Sequence, residues 1–97
     1  MQRIELEVYS TDHSAWVVRT PGRDFPALVL QGNTVDSYFT LAQSLVARLE
    51  ASPLPDPIAL DEAIELRDLL RDRLLDYETV LDANAVSLPY SRSVSSR

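Results

Sequence analysis

The run Pro21-Gly22-Arg23-Asp24-Phe25-Pro26-Ala27-Leu28-Val29-Leu30-Gln31-Gly32-Asn33-Thr34 constrains this chain more than any other, because it holds both glycines and brackets one apolar strand between two turns. Pro21-Gly22 ends whatever precedes it. Phe25 to Gln31 reads as extended, with Pro26 near the start, where a missing N–H is tolerated at an edge or first position. Gly32 permits a positive φ at the strand end. Asn33 or Thr34 then caps a helix, with Asp36 favourably placed in its first turn.

Upstream, Ile4, Leu6 and Val8 alternate with Glu5, Glu7 and Tyr9, the period-2 pattern of a strand with one buried face. The polar cluster from Ser10 to Ser14 is a turn, and Ala15-Trp16-Val17-Val18-Arg19-Thr20 supplies a second strand. With such short connections, the three strands form an antiparallel meander. Downstream, Val35, Tyr38, Phe39, Ala42, Leu45, Val46 and Leu49 recur at helical spacing as far as about Glu50, a stripe suited to the apolar face of the sheet. Ser52-Pro53-Leu54-Pro55-Asp56-Pro57 breaks that helix, and Asp56-Pro57 has the cap and first-position grammar of another. The second helix extends to about Ala83, with a seam of Ala63, Leu66, Leu70, Leu74, Tyr77 and Leu81. The expected fold is α+β in the order β-β-β-α-α, with two antiparallel helices packed on one face of a three-stranded antiparallel sheet.

Ninety-seven residues with 45% apolar content make one domain, here expected over residues 1–90, with a disordered serine- and arginine-rich tail over 91–97. There is no cysteine, so stability comes from the core alone and nothing depends on an oxidising compartment. Charges within the first ten residues argue against a signal peptide, and no apolar run is long enough to span a membrane. A cytoplasmic protein is expected. The chain has no lysine and its positive charge is all arginine, which fits coding bias in a GC-rich genome.

Charge placement carries the functional expectation. Residues 56–82 contain nine acids against three arginines (Arg67, Arg71 and Arg73), a surplus equal to the whole net charge of −6. At about 100° per residue, Asp61, Glu65, Asp68, Asp72 and Asp76 align opposite the apolar seam. Like-charge pairs four residues apart each cost about 0.2–0.5 kcal/mol, so a helix shaped for stability alone would intersperse cations there. Two readings follow: a docking surface for a basic partner, or a solvated face that aids solubility. Calcium is disfavoured, since its loops converge oxygen ligands from a tight turn and not from carboxylates spread along a rigid helix.

Nothing in the chain assembles a catalytic constellation, so no enzyme and no cofactor are expected. His13 lies in a polar turn without an evident partner, no serine sits in a Gly-x-Ser-x-Gly elbow, and two glycines build no phosphate loop. Trp16 and Phe25 read as core aromatics, with a binding platform as the alternative. Direct nucleic-acid binding is opposed by the net charge, because phosphate neutralisation dominates such affinities.

The segment from Phe25 to Val35, followed by a helix beginning Asp36-Ser37, resembles the strand-to-helix corner of HicB-type antitoxins, in which a proline-containing strand ends in a Gln-Gly-Asp-Thr-like turn. That similarity covers about the first fifty residues. Beyond it the proline linker and acidic helix depart from the HicB pattern of a fourth strand and a DNA-binding module, so operator binding is not implied. With Pro21-Gly22-Arg23 and Leu88-Pro89-Tyr90 included, the chain resembles small uncharacterised bacterial proteins of the same length, a resemblance that implies no established activity. HicB-type proteins neutralise small basic RNases and acidic immunity proteins use the same electrostatics, so by analogy the expected function is an immunity-like or antitoxin-like inhibitor of a basic toxin. The alternative is a homo-oligomeric structural or regulatory domain, dimeric through an edge strand or helix seam.

Overall fold

The computed structural model describes residues 1–12 and 15–97. His13, singled out above, lies outside the described residues. Three strands, β1 (Glu7–Ser10), β2 (Trp16–Arg19) and β3 (Ala27–Val29), precede two helices, α1 (Gly32–Ala51) and α2 (Pro57–Ala83), and a 3-10 turn at Val94–Ser96. The order is β-β-β-α-α. The chain divides into two compact units, Met1–Gln31 and Gly32–Arg97, where one is expected from length.

In the first unit the sheet order is β1-β2-β3, antiparallel throughout. Val8 pairs with Val18 and Val18 with Ala27, while Trp16 pairs with Val29. The β1–β2 register shifts between Val8 and Ser10, making Tyr9 the extra residue of a bulge. Glu7 faces Arg19 and accepts a hydrogen bond from its Nη2 at 2.5 Å. The turn between β2 and β3 is where glycine freedom is needed: Gly22 has φ 78°, and the Arg23 N–H donates to the Thr20 carbonyl at 3.2 Å. Proline then glycine at the two central positions is the signature of a type II turn.

Burial in this unit departs from expectation. Val18 is buried, but Ile4, Leu6 and Val8, read as the buried face of β1, are exposed, and so are Trp16 and Phe25, read as core. The strands are also shorter than their patterns, three or four residues each. A β-ribbon this short buries little of either face by itself.

The second unit has its own core. Phe39, Leu74 and Val94 are its largest fully buried side chains, with Val35, Leu70, Leu75 and Tyr90 packed against them. α2 begins as its sequence dictates: the Asp56 carboxylate accepts from the Ala59 N–H at 3.1 Å and Pro57 takes the first helical position. It ends in a Schellman arrangement, with the Val86 N–H on the Leu81 carbonyl and the Ala85 N–H on that of Asp82.

Three expectations are corrected here. α1 starts at Gly32, so Asn33 and Thr34 lie inside its first turn and do not cap it. Gly32 itself carries no positive φ; its lack of a side chain matters because a Cβ there would collide with the Tyr77 ring. Tyr38 and Leu45 on α1, and Leu66 on α2, stand exposed, because a pair of packed helices covers a narrower arc of each than a full layer would. Beyond residue 90, Val94 is fully buried and Arg97 pairs with Asp36. Serine and arginine content hides one apolar residue placed to fill a gap beside Phe39 and Leu74.

Candidate functional site

α2 is 27 residues long, about 40 Å at 1.5 Å per residue. Its packed side carries Ala63, Leu70 and Leu74, and on the opposite side Asp61, Glu65, Asp68, Asp72 and Asp76 are all exposed, as helical spacing requires. The structure therefore brings all five acids onto one open face. Arg67 Nε lies 3.1 Å from Asp68 Oδ1, and Arg73 Nη1 lies 4.0 Å from Asp76 Oδ2. The second pair is so exposed that its attraction is worth about 0–1 kcal/mol at most. Asp61, Glu65 and Asp72 face solvent, and Arg71 lies toward the half-buried side of the helix. The face keeps a strongly negative surplus.

A second polar cluster ties the tail to both helices. Glu78, one turn beyond Leu74, accepts at Oε2 from the Tyr90 hydroxyl at 2.7 Å and from the Val94 N–H at 2.8 Å. Burial, then the Glu78 hydrogen bond and charge, push the Tyr90 phenol above its usual range. Arg97 pairs with Asp36 and stacks over Phe39 and Tyr90, its guanidinium carbon 5.3 and 5.7 Å from the two ring centroids. This cluster escaped the sequence reading. Its signal was Glu78, an acid displaced from the acidic stripe toward the apolar seam, combined with Tyr90 and Val94 in an otherwise polar tail.

A groove of about 340 Å³ beside the cluster is lined by Leu75, Glu78, Thr79, Asp82, Leu88 and Ser93. The Glu78 oxygen facing the tail is already doubly hydrogen-bonded, so it acts as an anchor. Among the described residues, no group of three or more His, Cys, Asp or Glu side chains converges as a metal site, and no helix is long and apolar enough to cross a membrane. No curated protein and no solved structure matches the chain. A family model does, across both units from residue 1 to residue 90: the chain belongs to DUF6959, a family of unknown function.

Proposed function

We propose that this protein is a non-enzymatic binding module of the bacterial cytoplasm, an immunity-like or antitoxin-like inhibitor that docks a basic protein such as a toxin. The contact is the outer face of α2. The observation that carries this reading is the alignment of Asp61, Glu65, Asp68, Asp72 and Asp76 on one exposed face of a 27-residue helix. Their spacing retains like-charge pairs four residues apart that a purely structural helix would dilute. Such a field accelerates encounter with a cationic surface and repels nucleic acid. The similarity of the 25–35 corner to HicB-type antitoxins, whose targets are small basic RNases, points the same way by analogy. No cofactor enters the reading.

The triple change Asp68→Asn, Asp72→Asn and Asp76→Asn separates docking from solubility. The fold should be retained or slightly stabilised, since repulsion of about 0.2–0.5 kcal/mol per like-charge pair is relieved. Association with the basic protein captured by wild-type bait should slow, and its salt dependence should flatten. If both baits retain the same partner with no salt dependence, the acidic face is not the docking surface.

A further inference from the structure

We propose that a second copy of this chain covers the apolar side of the helical hairpin, giving a two-fold dimer through antiparallel α2 helices. At 100° per residue, Ile58, Glu62, Leu66, Leu69, Arg73, Asp76 and Val80 fall within an arc of about 80° on α2, between the packed seam and the acidic stripe, with Asp76 on the edge that borders the stripe. On α1, Tyr38, Leu41 and Leu45 flank the packed Phe39, Ala42 and Val46 in the same way. The close approach of Gly32, at the start of α1, to Tyr77, near the end of α2, fixes the helices as antiparallel. Handedness then puts both flanking sets on one side of the hairpin, while Asp36 and Glu78, which hold the tail, lie toward the other.

Two further observations select a second copy as the occupant. The seven apolar residues on this side are each 46–73% exposed. Together they present roughly 700 Å², near the ~800 Å² that each partner contributes to a stable interface and above the largest patch of a typical monomer. Glu62 and Arg73 within the patch are also self-complementary, while Asp76 at its edge falls opposite the partner's Ala59. Antiparallel pairing about a two-fold axis midway between Leu66 and Leu69 sets Leu66 opposite the partner's Leu69, at both crossings. Glu62 and Arg73 each lie four residues farther out, so the same axis sets Glu62 opposite the partner's Arg73. Among the described residues, Arg73 has only its 4.0 Å contact with Asp76 to give up. The acidic stripe flanks this surface, so the dimer goes beyond the docking reading and does not depend on it.

Sedimentation of the full chain should give twice the monomer mass at about 100 μM, since interfaces of this size have micromolar or tighter affinity. Leu69→Asp, at an exposed position, should keep the helical circular dichroism and raise the dimer dissociation constant about 30-fold or more. Arg73→Glu and Glu62→Arg should each weaken the dimer, and the double exchange should restore it. A monomer at that concentration, or a dimer indifferent to Leu69→Asp, overturns the proposal. A dimer in which the double exchange fails to restore what the singles lose overturns the antiparallel α2 pairing.

Discussion

Ala85 is a non-glycine residue with a positive φ, 55°, at the position after the α2 cap where glycine is usual. Ala85→Gly removes that strain without touching a contact, and the denaturant midpoint should rise by the equivalent of about 0.5–1 kcal/mol. An unchanged or lower midpoint would mean that the unfolded chain's extra freedom cancels the gain. Gly32 behaves in the reverse sense. Gly32→Ala drives a methyl into the Tyr77 ring and should cost about 1–3 kcal/mol, the range for forced overpacking. Steric origin is checked by a double-mutant cycle: in a Tyr77→Ala background the same change should lose most of its cost. Tyr90 gives a pH test. Its folded pKa lies above the unfolded value of about 10, so its stabilisation is complete below about pH 10 and is lost as pH rises through the folded value. Tyr90→Phe should therefore melt lower than wild type at neutral pH, with the difference shrinking under alkaline conditions.

α2 shows what a sequence pattern can and cannot reveal at the scale of an element. Its start is written locally in Asp56-Pro57, and its acidic stripe follows from spacing alone, so both were legible. Its anchor to the tail depends on Glu78 meeting Val94, sixteen residues away, and no local pattern records such a meeting. Glu78→Ala should free the tail: the Val94 amide should lose its hydrogen-exchange protection, and stability should fall by about 1–3 kcal/mol because a buried N–H is left unpaired. Retained protection at Val94 would show that apolar packing alone holds the turn. The strands illustrate a different limit. Alternation pointed to β1 and a β-rich run to β2, but Val8 in β1 and Leu6 just before it are exposed, because period 2 identifies an apolar face without supplying what covers it.

Across the whole molecule, burial and charge are unevenly shared. The core of Phe39, Leu74 and Val94 and the nine acids of residues 56–82 belong to Gly32–Arg97, while among the described residues of Met1–Gln31 the one buried side chain is Val18. Opening free energy tracks buried apolar contact, so protection should be layered along the chain. Under native conditions the amides of Phe39 and Leu74, inside packed helices, should exchange through the least frequent openings. Those of Val17 and Val18, in a sheet of three- and four-residue strands, should exchange through more frequent ones. Mild denaturant should then release the strand amides first, with a shallower dependence that reports a smaller exposed area. Identical protection and identical denaturant slopes for the two sets would instead make the chain one cooperative unit. In that case the exposed apolar side chains of β1 and β2 must be covered in solution, because apolar burial is the dominant favourable term in folding.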